Sequence, residues 1–268
     1  MKETQPGDLF AAVMSPRTPV SAVIITLNAG SVLGPCLASL DFADEILVVD
    51  AGSTDHTLEL ARQAGARIIE QPWLGFGPQK QFAATMARHP WILSLDADER
   101  ISPELRASLL QTLTGVPRHH AFRMARRNRF MGRWLGHGEG YPDPNLRLYH
   151  RDHAHWSLDP IHEHVITTGT VGWLSGDLLH ESEQSLETYL AKQNHYTTLQ
   201  AQRLLARGQR PRFHHLLLNP LVRFIKFYLI RRGFLDGIPG LVHVVIGCGN
   251  SFFKYAKAMA MFSKKSAG

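Results

Sequence analysis

Short apolar runs alternate with amphipathic stretches along the first hundred residues. Four runs rich in Val, Ile and Leu predict buried strands, over residues 20–27, 45–50, 66–69 and 91–95. Helical patterns lie between these runs, over residues 31–40, from Asp55 to about Gly65, and over residues 79–89. Strands and helices in alternation are typical of a parallel sheet with helices on both faces. The pattern therefore predicts an α/β fold.

After residue 100 the pattern is less regular, with a helix predicted near 103–114, an extended segment over 145–150 and a helix over 183–207. The stretch 216–262 is apolar with interspersed basic residues. Its longest relatively uncharged window, Gly237 to Phe253, is shorter than the roughly 20 residues of a membrane-spanning helix. We expect amphipathic segments in a bilayer interface. A helical subdomain whose apolar stripe is core, and a spanning or re-entrant hairpin, are the alternatives.

Charge is unevenly distributed. The 268 residues carry a net charge of +6, but residues 203–268 hold twelve Lys and Arg against the single Asp236, whereas residues 1–202 have an excess of acidic residues. A basic end of this kind usually meets a polyanion, either nucleic acid or an anionic membrane surface. Leucines and aromatic residues are interleaved with the basic residues here, which favours the membrane and disfavours nucleic acid.

The two cysteines predict the compartment. Cys36 and Cys248 lie far apart and form no metal-binding spacing, which favours reduced thiols and a cytoplasmic location. The first residues include Lys2, Glu3 and Asp8 and no continuous apolar stretch, so we expect no secretory signal.

Acidic side chains follow two of the predicted strands. Asp96 and Asp98 stand two positions apart at the end of the fourth strand, and Asp50, Ser53 and Asp55 follow the second. Residues i and i+2 of a strand project together, and two convergent carboxylates require a cation between them. Mg²⁺ or Mn²⁺ shared with substrate phosphates meets that need, although surface loops also produce this spacing. Ligands of parallel sheets bind beyond the carboxyl ends of the strands, so the sequence predicts a diphosphate-metal site.

Thr26 and Asn28 follow the first strand and Asp50 the second. If these strands are neighbours, Asp50 is placed to accept from a base N–H or a ribose hydroxyl. Turn formation is the alternative role of Asp50, and helix capping is that of Asp55. Neither the G-x-G-x-x-G pattern nor a phosphate-binding P-loop follows a strand, which argues against dinucleotide oxidoreductases and P-loop NTPases.

Several motifs occur in an order that resembles a known family. T-L-N, V-V-D-A-G-S-T-D, W-L-G-F-G-P-Q-K-Q and L-S-L-D-A-D-E are followed by G-R-W, Y-P-D-x-x-L-R-L, I-H-E and R-R-G-F-L-D-G. This order resembles the family 2 glycosyltransferases with a GT-A fold, and more narrowly the bacterial lipopolysaccharide-core β-glycosyltransferases. The resemblance covers about residues 18–260. It implies a Rossmann-like, mostly parallel sheet flanked by helices, with an N-terminal extension (1–17), a catalytic domain (18–182) and a C-terminal helical membrane-associating region (183–268).

The resemblance also implies roles for individual residues. The nucleotide would be held by Thr26, Asn28, Asp50, Ser53 and Asp55, with Lys80 near the diphosphate or base. Asp96 would face the ribose and the metal, Asp98 would coordinate the metal directly, and His180 would complete the metal shell. A surface or core histidine is the alternative role of His180.

Inverting sugar transfer requires a base for the acceptor hydroxyl. Glu163, between two histidines on the acceptor side, is the first candidate, and Asp143 is the second, although Pro-Asp-Pro is also ordinary turn sequence. The spacing H-E-H differs from H-E-x-x-H, so we expect no hydrolytic zinc site.

Basic and aromatic residues supply further candidates. Six arginines could bind a phosphorylated acceptor or the donor diphosphate, with solvated charge as the alternative: Arg123, Arg126, Arg127, Arg129, Arg133 and Arg147. Trp134 and Trp156 suit either sugar stacking or core packing.

The sequence as a whole predicts a metal-dependent inverting hexosyltransferase. It would move a sugar from a nucleotide-sugar, chiefly a UDP-sugar, to a membrane glycolipid of the lipopolysaccharide inner core, as a peripheral protein on the cytoplasmic face of the inner membrane. Transfer to a polyprenyl phosphate is the alternative within the same fold. A basic nucleic-acid-binding protein is the alternative from another class.

Overall fold

The computed structural model describes residues 16–159, 163–181 and 185–266. Residues 1–15 of the predicted N-terminal extension, His162, and the first two residues of the helix predicted over 183–207 lie outside this range. The strands are β1 (Val20–Thr26), β2 (Glu45–Asp50), β3 (Arg67–Glu70), β4 (Trp91–Asp96), β5 (Glu99–Ile101), β6 (Ala121–Phe130), β7 (Arg133–Trp134), β8 (Asp143–His150), β9 (Ala154–Trp156), β10 (Val165–Thr167) and β11 (Val171–His180).

The helices are α1 (Gly30–Ala38), α2 (Thr57–Gln63), α3 (Phe76–Met86), α4 (Pro103–Leu113), α5 (Leu186–Ala206), α6 (Phe213–Phe224) and α7 (Gly237–Ser266). A π-helical segment, Ile225–Ile230, continues α6, and a 3-10 turn, Gly233–Asp236, precedes α7. The elements predicted in the first hundred residues agree with these bounds to within about three residues.

Nine strands form one mixed sheet in the order β3-β2-β1-β4-β8-β6-β11-β5, with β7 paired to β6, while β9 and β10 form a separate ribbon. The strands β3, β2, β1 and β4 run parallel, which confirms the predicted α/β class. Beyond β4 the direction changes, because β8 pairs antiparallel with both β4 and β6. The only further parallel pair in the described sheet is β6 with β11.

Apolar side chains cover both faces of the sheet, because successive residues of a strand point to opposite faces. Ala22 and Ile24 of β1 belong to a cluster with residues of α1, α2 and α4 on one face. Val23 belongs to a second cluster with α3 and the β9–β10 ribbon on the other face. This two-sided burial explains why β1 is a continuous apolar run rather than an alternating one.

Strand register brings the polar strand ends together. Thr26 pairs with Asp50, and Ile25 pairs with Asp96. Since β1, β2 and β4 run in the same direction, their carboxyl ends meet at one edge of the sheet. Three of the predicted site segments therefore converge by topology alone.

In the C-terminal region α7 packs against both α5 and α6, and α7 is one continuous helix of 30 residues rather than several short segments. Within residues 16–159, 163–181 and 185–266, no single helix is both long enough and apolar enough to cross a bilayer. Asp236 joins this region to the sheet domain, since its carboxylate accepts from the backbone N–H groups of Gly136 and His137. The predicted division near residue 182 stays a prediction.

Candidate active site

Asp50, the last residue of β2, organises the loop that follows it. Its side chain is completely buried. One carboxylate oxygen accepts from the hydroxyls of Thr26 (2.7 Å) and Ser53 (2.6 Å), and the other accepts from the backbone N–H groups of Gly52 and Ser53. Burial raises the pKa of Asp50, but the hydrogen bonds from Ser53, Thr26 and Gly52 lower it more, so the net pKa lies below its usual value. The turn role weighed for Asp50 is thus present, and its contact with a nucleoside stays a prediction.

Asn28 and Asp55 fasten the same loop to the start of α1. Asn28 has a positive φ of 51° and accepts from the backbone N–H of Thr54 at 2.9 Å. Asp55 accepts from the backbone N–H groups of Gly30 (2.9 Å) and Thr57 (3.0 Å). The residue at the N-cap of α2 is His56 rather than Asp55, so the predicted capping position was wrong by one residue. Asp55 instead links the first turns of two helices, because one carboxylate oxygen accepts from Gly30 of α1 and the other from Thr57 of α2.

Asp96, at the end of β4, lies between two buried cations. Its carboxylate oxygens lie 2.7 Å from Lys80 Nζ of α3 and 2.7 Å from an Arg147 Nη of β8. Burial raises the pKa of Asp96, but the positive charges of Arg147 and Lys80 lower it by more. The net pKa lies well below its usual value, so the carboxylate is held ionised. Protein side chains therefore supply the cation that the sequence argument required at Asp96.

Glu99 is a site residue that the sequence argument missed. It is fully buried, it accepts from an Arg147 Nη at 2.6 Å, and its other oxygen accepts from the Asp96 backbone N–H at 3.0 Å. Arg126 lies 3.6 Å from Glu99 and 2.8 Å from Asp143. Arg147 and Glu99 therefore fix the position of Asp96, because Arg147 binds both carboxylates and Glu99 accepts from the Asp96 backbone N–H. The only sequence signal for Glu99 was its position as the third acidic residue of L-D-A-D-E.

Asp98 and His180 form the pair best suited to a metal. Asp98 lies in the turn between β4 and β5, so the strand-alternation argument applies to Asp96 alone. His180 Nε2 lies 3.1 Å from the Asp98 carboxylate, and Nδ1 lies 2.8 Å from Asn128 Oδ1. The Asn128 amide is oriented by its N–H donation to the Gly140 carbonyl at 3.2 Å. Nδ1 is therefore the donor toward Asn128, and Nε2, which faces the Asp98 carboxylate, is the nitrogen that would bind a metal.

The donor set fits a divalent cation that shares its shell with a diphosphate. A carboxylate and an imidazole with a fixed outer hydrogen bond are common metal ligands. Within the described ranges, no group of three or more His, Cys, Asp and Glu side chains has metal-binding geometry. The chain would thus contribute two ligands, and substrate oxygens would have to complete the shell. Burial raises the pKa of Asp98, but the contact with His180 lowers it more, and the net pKa lies below its usual value.

Of the two candidate bases, Glu163 lies nearer to the strand ends. Its carboxylate is 3.0 Å from Lys80 Nζ, so a single ammonium group links Glu163 to Asp96. Asp143 is held by the Nε and Nη2 of Arg126, at 2.9 and 2.8 Å. Glu163 therefore shares the Lys80 ammonium with the strand-end residue Asp96, whereas Asp143 is paired with Arg126.

The arginines do not form one open basic surface. Arg127 and Arg129 are paired with Asp177 and Glu181, respectively. Trp156 is buried between Lys80, at 4.7 Å from its ring centroid, and Arg147, at 5.7 Å, so it belongs to the core rather than to an exposed sugar platform. Trp134 lies beneath Arg100 and Arg129, with their guanidinium carbons 5.4 and 6.0 Å from its ring centroid.

Comparison with known proteins identifies the family. The model of "Glycosyl transferase family 2" matches residues 21–165, which is more than half of the chain. The chain is a family 2 glycosyltransferase. This glycosyltransferase is also 35% identical over 251 residues to the lipopolysaccharide core biosynthesis glycosyltransferase LpsC of Rhizobium meliloti, covering 91% of this chain and 93% of the relative.

Two solved structures show weaker likenesses. Mannosyl-3-phosphoglycerate synthase of Rubrobacter xylanophilus is 20% identical with a TM-score of 0.47, covering 73% of this glycosyltransferase and 77% of that chain. Glucosyl-3-phosphoglycerate synthase of Mycobacterium tuberculosis, solved with Mn²⁺, UDP and glucosyl-3-phosphoglycerate, is 24% identical with a TM-score of 0.35, covering 48% and 51% of the two chains. The family assignment depends on the family model and on LpsC alone.

Proposed function

We propose that this glycosyltransferase transfers a hexose from a UDP-sugar, with inversion, to a membrane glycolipid of the lipopolysaccharide inner core. The observation that carries the donor side is the meeting of the β1, β2 and β4 ends beside the Asp98–His180 pair. The nucleoside would contact the loops after β1 and β2 through the exposed Asn28 and the half-buried Ser53, while the buried Asp50 holds Ser53 in place. The diphosphate would lie between these loops and Asp98, and Asp98 and His180 would hold Mg²⁺ or Mn²⁺ beside it.

Glu163 and Lys80 would have separate roles in the transfer step. The acceptor hydroxyl attacks the anomeric carbon, its proton passes to a Glu163 carboxylate oxygen, and the bond to the diphosphate breaks with the electron pair leaving on the nucleotide. Lys80 holds Glu163 at 3.0 Å and Asp96 at 2.7 Å, so it positions the base relative to the strand ends. When bound, the cation would neutralise charge on the leaving diphosphate.

The acceptor side of the proposal is supported by LpsC and by the surface of the C-terminal region. The described part of α6 and the π-helical segment exposes one apolar face, formed by Phe213, Leu217, Leu218, Leu221, Val222 and Ile225. Lys226, Arg231 and Arg232 are exposed beside this face. An apolar face bordered by cations suits anionic lipid headgroups. We therefore infer peripheral attachment to the anionic cytoplasmic face of the inner membrane.

The test of this function is release of UDP by the purified full chain. UDP-sugars are supplied with rough lipopolysaccharide of truncated core as the acceptor, with Mn²⁺, with Mg²⁺ and with a chelator. We expect release that requires both acceptor and metal and that is lost in Asp98→Asn. Asp152→Asn is the matched control, since Asp152 is exposed and lies beyond the opposite end of β4. Absence of release with every UDP-sugar would refute the proposal.

A polyprenyl phosphate acceptor has less support, because three of the six arginines that would receive its phosphate are paired with carboxylates of the chain, namely Arg126, Arg127 and Arg129. Product analysis separates the two acceptors, since one product is a sugar phosphate linked to lipid and the other an extended oligosaccharide.

A further inference from the structure

A polar pocket lies between α5, α7 and the segment before β8. Its volume is about 160 Å³, which is smaller than the roughly 300–1,000 Å³ of pockets for drug-sized ligands. Its lining is polar and includes three amides, a hydroxyl and an ammonium group, from Gln193, Gln200, Asn250, Ser251 and Lys254. A pocket of this size suits one small polar unit rather than a nucleotide-sugar.

The charged side chains that line this pocket carry a net charge of +1, from Arg223, Lys254 and Glu139. Arg223 and Glu139 also line it and are paired with each other, with Arg223 Nε 3.0 Å from a Glu139 oxygen. Burial, and after it the charge of Arg223, lowers the pKa of His243 to about 4, so this imidazole is neutral near pH 7. Lys254 therefore remains as the net positive group. Amide and hydroxyl groups bind sugar hydroxyls, and an ammonium binds a phosphate or carboxylate.

The pocket is linked to the proposed metal ligands by a short series of contacts. Gly140 follows Glu139, and its carbonyl orients the Asn128 amide that faces His180. A second contact runs through Phe130, two residues after Asn128, whose ring centroid lies 5.3 Å from that of Tyr189 at the pocket. A ligand in this pocket would lie near the Asp98–His180 pair and outside the proposed donor site.

The pocket also lies on the inner side of the exposed apolar surface. On α7 the pocket residues recur at helical spacing, at positions 243, 247, 250, 251 and 254. The exposed apolar side chains of α7 at positions 238, 241, 245 and 252 fall on the opposite side of a helix with ~3.6 residues per turn. Arg223 likewise lies opposite the exposed face of α6. An amphiphile whose apolar part meets this surface could place its polar part in the pocket.

We propose that this pocket binds one anionic sugar unit of the glycolipid acceptor, bearing a phosphate or a carboxylate, and so presents the neighbouring hydroxyl to the catalytic cleft. The inference rests on the proposed function, because it assumes an amphiphilic saccharide acceptor. Lys254 would meet the anionic group. Asn250 donates to the Gln193 side-chain carbonyl at 2.7 Å, so the Gln193 amide N–H groups, the Asn250 side-chain carbonyl and the Gln200 amide would meet the ring hydroxyls.

The test measures binding of saccharide without lipid, so that membrane affinity does not contribute. The probe is the oligosaccharide released by mild acid from rough lipopolysaccharide of truncated core, titrated calorimetrically into the full chain. We expect Gln200→Leu and Lys254→Met each to weaken binding by at least about tenfold, the loss of roughly one hydrogen bond or ion contact. Gln202→Leu and Lys192→Met make the same chemical changes at exposed positions of α5 and should stay within about twofold of the parent chain.

Phosphatase treatment of the oligosaccharide identifies the anionic group. The effect of Lys254→Met should disappear after treatment if the group is a phosphate and persist if it is a carboxylate, and either result supports the proposal. Parent-like binding by both pocket variants overturns it. In that case UDP release with intact acceptor would still leave the proposed function standing. If the pocket variants weaken saccharide binding but no UDP is released, the proposed function is refuted and saccharide binding in the pocket is supported.

Discussion

The buried pair of Arg147 and Glu99 allows a quantitative test of how Asp96 is held. Arg147 is 3% exposed and Glu99 is fully buried, with 2.6 Å between their charged atoms. Arg147→Met keeps much of the side-chain length but removes the guanidinium. Glu99 is then left with Arg126 at 3.6 Å as its nearest remaining cation, and Asp96 is left with Lys80. A nearly uncompensated buried carboxylate results.

The expected cost follows from breaking a buried ion pair on one side. Removal of one partner destabilises by about 3–5 kcal/mol. For a chain of this size each kcal/mol lowers Tm by roughly 2–4 °C, so we expect a drop of about 6–20 °C. The double variant Glu99→Gln/Arg147→Met removes the stranded charge as well. It should recover about 1–3 kcal/mol relative to Arg147→Met, because the carboxylate no longer has to be buried alone.

Urea unfolding at neutral pH measures both quantities. Arg151→Met is the matched control, since Arg151 is exposed and its guanidinium donates to the Ala87 backbone carbonyl rather than to a buried carboxylate. We expect this control to lose less than about 1 kcal/mol. The reasoning would be refuted if Arg147→Met cost no more than the control, or if the double variant were less stable than Arg147→Met.

Three further expectations concern catalysis, acid stability and membrane binding. Glu163→Gln should lower kcat by about 10²–10⁴-fold with little change in the KM for donor, whereas Asp143→Asn should change kcat by less than about tenfold; the reverse order in steady-state UDP release would move the base to Asp143. Because the pKa values of Asp50 and Asp96 lie below the usual carboxyl value of about 3.9, their stabilising contribution should be complete above that pH and be lost as the pH falls through the lowered values. Urea midpoints measured from neutral pH to pH 3 should show this loss, and Asp50→Asn should reduce it; a rise in stability on acidification would contradict it. Leu221→Glu, on the exposed face of α6, should reduce flotation with phosphatidylglycerol vesicles while UDP release with a soluble acceptor is unchanged; undiminished flotation would exclude this face as the membrane contact.

The sequence pattern predicted the first hundred residues well, because each strand and helix there is visible within its own short segment. The run Glu45–Asp50 has the bounds that the apolar pattern gave it, since a strand buried on both faces is visible as a continuous apolar segment. The strand β6, Ala121–Phe130, was not predicted. Its arginines obscured the apolar alternation of Phe122 and Met124, and its pairing partners β8 and β11 lie far away in sequence.

The candidate site shows the same limit. Asp96 and Asp98 could be found from their spacing, but their different surroundings could not. Asp96 is surrounded by Lys80 and Arg147, which come from α3 and β8, and Asp98 meets His180 at the end of β11. Glu99 was missed for the same reason, because its burial depends on a partner 48 positions later. Tertiary contacts, rather than motif letters, separate the proposed metal ligand Asp98 from the ion-paired Asp96.

The central claim is that Asp98 and His180 hold a divalent cation together with the diphosphate of the donor. Electron paramagnetic resonance of Mn²⁺ titrated into the full chain with UDP measures this binding without requiring turnover. We expect the parent chain and Asp152→Asn to bind Mn²⁺ with equal affinity, and Asp98→Asn and His180→Ala each to bind it at least about tenfold more weakly. Unchanged Mn²⁺ affinity in both site variants would contradict the claim.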